Sequence, residues 1–367
     1  MDLPRTRRGR PAVALVMALA ALLRAPAARA ADPQAPGAAQ PSLLDQMRSE
    51  AKSAIAAAVA AGRPGEALET YDRLFASVKK HDLALLAPVA SGLLGAIASD
   101  VSSLARIPAL ERLARSGDAA ARGLLESAAG GRNTLMPAGI EADCALARLG
   151  DSPAVDRLIR RLPEEVPRDK GAIITALKDA GAKRAAYAIV PFLGDANPSN
   201  RLAAIRALAE IGSREHVPAM RAAFEAETHA GMRQSLAMAL HAVGSNAGDA
   251  VLAQAEASRV PDVQLLALEA YHASGSPRWP ALARELLRSP GEGARLRAAQ
   301  LLGVSDADAM RELARAASSP NTPTREVGAR LLESAGCRDA ALLVTLLHDA
   351  SPFVRTYAAG AALAAAK

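Results

Sequence analysis

Six histidines (His81, His216, His229, His241, His272 and His348) and two cysteines (Cys144 and Cys337) are the residues of this chain best suited to metal binding or acid–base work. Two histidines four apart on one helix would offer a zinc ion two nitrogens. No pair of the six has that spacing. His241 and His272 are the interesting pair, because each stands three residues before a glycine. Two nitrogens on one zinc must each come within about 2.0–2.1 Å of it, whereas packed helices stand about 8–10 Å apart. The pair therefore reads as polar surface, and no metal or cofactor is implied. A Gly-x-Ser-x-Gly nucleophile turn is missing, since "VGSNAG" (243–248) and "ASGSP" (273–277) read as helix-end turns. The carboxylates are scattered and nominate no acid–base pair, so no catalytic residue is expected. Gly130-Gly131-Arg132-Asn133 lacks phosphate-loop spacing and reads as a plain turn.

The elements that would carry these residues repeat. Helix ends with a matching glycine occur at Gly150, Gly181, Gly212, Gly244, Gly275, Gly303 and Gly336, with gaps that average 31 residues. The columns upstream test the register independently. Five before each glycine stand Ala145, Ala176, Ala207, Ala239, Ala270, Ala298 and Leu331, and four before stand Leu146, Leu177, Leu208, Leu240, Tyr271, Ala299 and Leu332. Each unit reads as two helices. The glycine ends the second helix, where it can take positive φ. Asp151, Ser213, Ser245, Ser276 and Ser305 are placed to cap the helix that follows. Proline stands near the start of that helix in Val217-Pro218 and Trp279-Pro280, where a missing N–H does little harm. Trp279 fills the apolar slot of Val217 and is expected to pack in the core. No such unit buries its apolar face alone, so the units must stack.

Two stretches are near copies. "DANPSNRLAAIRAL" from Asp195 and "DASPFVRTYAAGAAL" from Asp349 share the frame Asp-Ala-x-Pro-x-x-Arg. This turn, the Val-Pro helix start and the Ala-Leu-x-x-x-Gly end resemble short HEAT repeats of the bacterial, bilin-lyase-like type over residues 137–367. The resemblance implies an all-α fold, an α-solenoid of stacked helical hairpins, and a binding scaffold. It also implies an alternative, a lyase or transferase like the bilin-attaching HEAT proteins. Those act inside cells on pigment-binding partners, which fits poorly with the start of this chain. Residues 42–136 read as an irregular helical part of the same stack, with helices near 42–60, 65–79, 83–98, 103–115 and 119–129.

That start reads as a cleaved export signal, with an uncleaved anchor as the alternative. Four arginines within the first ten residues precede an apolar stretch from Ala12 to Leu23, and Ala28-Arg29-Ala30 fits signal peptidase cleavage after Ala30. Twelve residues of helix cover about 18 Å, and a bilayer core of about 30 Å needs roughly 20. No stable membrane insertion is expected after cleavage. Residues 31–41 form a Pro-containing flexible lead-in, and the mature protein is expected in the periplasm or outside the cell. Residues 1–30 hold six arginines and one aspartate, so cleavage takes the formal charge from +6 to +6 − 5 = +1. A near-neutral chain with few aromatics has neither the phosphate-binding surface nor the stacking platform that nucleic acid requires. Cys144 and Cys337 stand six repeat steps apart, about 60 Å at about 10 Å per layer, and are expected as free thiols.

What remains is the variable face of the second helices. Positions six, three and two before the glycines supply Arg206, Glu210, His241, Glu269, His272, Arg297, Gln300, Arg330 and Glu333. In a HEAT-type array this face lines the concave side, so these residues are the expected contacts to a protein or peptide partner. Finally, arrays need polar end caps, yet the terminal "TYAAGAALAAAK" has little charge. The last helix is therefore expected to pack on a partner or on a second copy of the chain.

Overall fold

A computed structural model describes residues 42–129 and 138–367 of the 367-residue chain. The expected export signal, the expected lead-in and the stretch 130–133 read as a turn lie outside the described residues. The chain divides into units of 1–45 and 46–367. In the first, Ser42 and Asp45 cap each other, the Asp45 N–H donating to Ser42 Oγ at 3.1 Å while the Ser42 hydroxyl donates to Asp45 Oδ2 at 2.6 Å.

Among the described residues there are helices and turns only. They run α1 (Leu43–Ala60), α2 (Pro64–Val78), α3 (Leu83–Ser99), α4 (Arg106–Ser116), α5 (Ala119–Ala129), α6 (Ala138–Arg148), α7 (Ser152–Arg161), α8 (Pro167–Asp179), α9 (Ala186–Ile189), α10 (Pro198–Ile211), α11 (Val217–Ala226), α12 (Ala230–Ala242), α13 (Asp249–Glu256), α14 (Pro261–Ala273), α15 (Trp279–Leu286), α16 (Glu292–Leu302), α17 (Ala307–Ala317), α18 (Thr322–Ser334), α19 (Ala340–Leu347) and α20 (Pro352–Ala365). No described helix is long and apolar enough to cross a membrane.

The repeat glycines end their helices by a shared mechanism. Gly150, Gly181, Gly244, Gly275 and Gly336 have φ between 61° and 83°. The residue after each then donates to the carbonyl four before the glycine, as in Asp151 to Leu146 at 3.0 Å and Cys337 to Leu332 at 2.9 Å. This chain reversal needs a left-handed residue, which glycine adopts without a Cβ clash. Gly212 departs from the pattern, with φ −71° and ψ 172°. There Ser213 and His216 form a capping box that takes the chain off in an extended path. Asp151 caps α7 as expected. At the start of α17 the cap is Asp306 rather than Ser305, its carboxylate accepting from two backbone N–H groups.

The arginine of the Asp-Ala-x-Pro-x-x-Arg frame has a structural task. Arg201 and Arg355 each donate from Nη1 to the carbonyls six and five residues earlier, at 2.8 and 3.3 Å and at 2.7 and 2.9 Å. Arg295 and Arg325 do the same from turns that have lost the aspartate. Arg325 also reaches Asp349 in the next unit at 2.8 Å. One guanidinium thus satisfies the turn carbonyls of its own hairpin and ties it to the next, a double role that its fork of five donors allows.

Within residues 46–367 the hairpins form a closed ring. Nine of them follow in order, from α3–α4 to α19–α20, and α20 packs along α3 and against α4. Second helices meet their counterparts in neighbouring units, as α8 meets α10 and α10 meets α12, whereas first helices meet chiefly their own partner and the preceding second helix. The more closely spaced layer is the inner one. One apolar core, from Ile55 to Ala362, runs around the ring, and a smaller cluster lies under α14 to α16. Trp279 packs, half-buried, against that smaller cluster.

Closure corrects the expectation for the chain end. α20 lays Val354, Ala358, Ala359, Ala361 and Ala362 into the core, opposite the equally apolar α3 with its buried Leu86, Val89, Ala90 and Leu94. The apolar surface of α20 that suggested a partner or a second copy is covered by α3 and α4 of the same chain. Cys144 and Cys337 stay free and buried although the ring closes.

Candidate functional site

The inner wall is built by α4, α6, α8, α10, α12, α14, α16, α18 and α20. Their Ala and Leu columns, five and four before the glycines, are buried in the core; of the positions six, three and two before, Arg206, Glu210, His272 and Arg330 are exposed on the other side, whereas Cys144 and Met238 are buried. Seven of the nine candidate side chains are engaged with other side chains, three of them with one another.

Glu269 on α14 accepts from Arg297 Nε on α16 at 2.7 Å. Arg297 also donates to Gln300 Oε1 at 2.8 Å, and Gln300 Nε2 donates to Ser334 Oγ on α18 at 3.3 Å. Glu210 on α10 takes Lys178 Nζ from α8 at 3.3 Å. Glu333 on α18 is bound by Arg112 Nη2 on α4 at 2.5 Å. Burial pushes the Glu333 carboxyl above the usual carboxylate range, with Arg112 pulling against it. Arg112 also lies over the Tyr357 ring of α20, 4.7 Å from its centroid. Gly360 makes room for the pair, because a Cβ there would run into Glu333 Oε1 and come within 2.8 Å of Arg112 Cδ.

The two histidines of one column turn to different partners. His241 Nδ1 lies 3.0 Å from Asp249 Oδ1. His272 sets its ring edge-on to Trp279, 4.9 Å between centroids. Its pKa falls below the usual histidine value, first through burial and then through the nearby Arg297 charge, against the pull of Glu210 and Glu269. Arg206 and Arg330 differ from the rest. Both are exposed, and neither makes a hydrogen bond or ion pair. Among the described residues no group of three or more His, Cys, Asp and Glu side chains gathers as a metal site would require.

The sequence reading missed part of this wall. Glu111 on α4 is nearly buried and holds Arg148 of α6 at 2.7 Å and Arg115 at 2.6 Å. A signal for it exists: Leu113-Ala114-Arg115-Ser116-Gly117-Asp118 repeats Leu146-Ala147-Arg148-Leu149-Gly150-Asp151. Gly117 has φ 108°, and Asp118 donates to the Leu113 carbonyl at 3.0 Å. The repeat therefore begins at least one unit before Gly150.

One further concentration of charge lies on the outer layer. Arg284, Arg288, Arg311 and Arg315 surround a depression of about 360 Å³ between α15 and α17. Arg284 faces Asp306 at 3.4 Å, Arg311 pairs with Asp308, and Arg315 pairs with Glu312 at 2.7 Å. Three of its four cations are thus balanced from within.

Comparison with known proteins bears on the fold. No curated protein matches the chain. Three solved structures show low similarity. The CpcE–CpcF complex of phycocyanin lyase from Nostoc sp. PCC7120 is 18% identical, with 61% of this chain and 85% of that chain covered, at a TM-score of 0.33. An engineered protein from a structural genomics programme is 15% identical, with 88% and 95% covered, at 0.34. Human deoxyhypusine hydroxylase in complex with glycerol is 19% identical, with 70% and 96% covered, at 0.26. The HEAT-repeat family model matches residues 186–272, the outer and inner helices from α9 to α14. With its paired helices, the glycine ends at Gly212 and Gly244 and the Arg201-capped turn, the stretch 186–272 is made of HEAT repeats, set in an α-solenoid of stacked hairpins.

Proposed function

We propose that this protein is an exported, non-enzymatic scaffold that holds a protein or peptide partner on the inner wall of its ring. The observation that carries the reading is the shared inner surface. The second helices of the hairpins line one inner layer, and cross-helix pairs such as Glu269–Arg297 and Lys178–Glu210 hold its polar residues in place. A wall stiffened in this way presents fixed donors and acceptors, which reduces the ordering cost of binding. A lyase or transferase would need a free nucleophile or acid–base pair on that wall. Cys144 is buried with its thiol pushed up to about 12, which takes it out of use as a nucleophile.

Photo-crosslinking in the producing cell tests this. A photoreactive residue at position 206 or 330, on the wall, should capture a defined partner, and one at the exposed outer Tyr187 should not. Partner capture from position 187 alone would reject the inner wall as the binding face. Export is tested on the same material, where the purified chain should begin at Ala31. An intact Met1 in the cytosolic fraction would reject it.

A further inference from the structure

The column six before the repeat glycine supplies one position from each glycine-ended inner helix. That column holds five charged residues: Glu111, Arg206, Glu269, Arg297 and Arg330. Three are neutralised by their neighbours. Glu111 is held by Arg148 and Arg115, and Glu269 and Arg297 hold each other. Arg206 and Arg330 are left, exposed and without a partner. They belong to α10 and α18, four hairpins apart in a ring of nine, so they stand nearly opposite each other across the lumen. The column therefore has a net positive charge at two facing points.

The size of the lumen limits what can reach both. Nine inner helices spaced about 9 Å apart have axes on a circle about 26 Å across. Subtracting a helix diameter of about 11 Å, side chains included, leaves a bore of about 15 Å. Such a bore admits one polypeptide segment and excludes a folded domain. The wall is about 20 Å high for 13-residue helices such as α12 and α14 at about 1.5 Å per residue. It spans about six residues of extended chain at about 3.3 Å each.

We propose that the occupant of the lumen is a single acidic polypeptide segment, whose carboxylates are taken by Arg206 and Arg330. The inference rests on the inner wall being the binding face. Each guanidinium presents a planar fork of donors that matches a carboxylate in two parallel hydrogen bonds, which gives direction as well as charge. The paired charges between them, Glu269–Arg297 and Lys178–Glu210, set the register without attracting either sign. The cluster of arginines on the outer layer lacks this property, since its acids already balance three of its four cations.

Fluorescence anisotropy of the full mature chain tests the proposal, with labelled octaglutamate and octalysine as the two ligands. Octaglutamate should bind, more weakly as salt rises. The Arg206→Glu/Arg330→Glu variant should lose at least tenfold in octaglutamate affinity and gain binding of octalysine. The outer-layer variant Arg284→Ala/Arg288→Ala should bind octaglutamate as the parent does. Unchanged circular dichroism and melting would show that the reversed variant is folded. The proposal is overturned if the parent does not bind octaglutamate at low salt, if charge reversal leaves its affinity unchanged, or if the outer-layer variant loses it. Should position 206 or 330 still crosslink a partner in the cell after such a result, the inner wall remains the binding face and only the acidic class falls.

Discussion

Arg112 and Glu333 are 221 positions apart in sequence and 2.5 Å apart in the ring. The pair reaches over α20, whose Gly360 has no side chain to obstruct it, and joins the first hairpin to the eighth as well as the ninth. Both side chains are nearly buried, at 10% and 13% exposure. Removing one partner leaves an uncompensated charge in that site. Arg112→Ala should lower unfolding stability by about 3 kcal/mol, read by urea titration. The double variant Arg112→Met/Glu333→Leu should recover most of the loss, because an apolar pair carries no desolvation cost. A single variant as stable as the parent would show that the pair does not hold the seam.

Glycine content permits a matched pair of substitutions. A Cβ on Gly328 of α18 would meet the backbone of α17, with Ala316 C at 2.6 Å and Ala317 Cα at 2.7 Å. Backbone cannot rotate away as a side chain can, so Gly328→Ala should destabilise by about 1–3 kcal/mol. Gly293 of α16 has nothing within 4 Å of its Cβ position. Gly293→Ala should stabilise by about 0.5–1 kcal/mol through lower entropy of the unfolded chain. Thermal melts of opposite shift are the expected outcome, and shifts of the same sign would contradict the packing described for α17 and α18.

Acid should loosen the hairpin junctions before the core. The Arg315 guanidinium, helped by Arg295, holds the Glu312 carboxyl below its usual range. For Asp349 burial pulls upward, but Arg325 and the Ser351 N–H bring it below normal. With folded values below the unfolded ones, the unfolded chain binds protons first as pH falls. Their stabilisation is present above about pH 4 and is lost as pH drops through the folded values. Urea midpoints should therefore fall between about pH 5 and pH 3, and less steeply in Arg325→Ala. An equal slope in that variant would remove Asp349 from the account.

Burial pushes both thiols up, Cys144 to about 12. Only the thiolate attacks a disulfide reagent. In native buffer 5,5′-dithiobis(2-nitrobenzoate) should therefore leave both cysteines unreacted for hours, and in urea it should titrate two. Fast reaction of one thiol in buffer would identify a locally opened hairpin.

The local grammar of this protein was legible because each repeat writes its own boundaries. The glycine that reverses the chain, the alanine that lets helices approach and the proline at a helix start are all short-range requirements, and a period of about 31 residues exposes them. Lys178 and Gly117 were passed over for a different reason. Lys178 sits three before Gly181 but lies outside the set of nine, and Gly117 carries the Gly150 hexapeptide with one change, Ser116 for Leu149, within the irregular part 42–136. Ring closure was hidden for a physical reason. Repeats specify contacts with the next unit, while closure depends on small rotations summed over nine of them. Two clues did exist, the uniformly apolar α3 and the weakly charged α20. Only α20 was read as an unsatisfied surface, and α3 is what covers it. Likewise the charged columns could be assigned to the inner face, but which charges neutralise which required distances, and these separate Arg206 and Arg330 from the other seven candidates.

Closure also bears on how this protein can evolve. Open arrays gain and lose units freely, since each repeat touches only its neighbours and either end can be extended. Here the first and last hairpins are neighbours, so inserting or deleting one hairpin would change the total rotation and pull Arg112 away from Glu333. The number of repeats is set like the teeth of a gear, and diversity must come from the side chains on the wall rather than from its length.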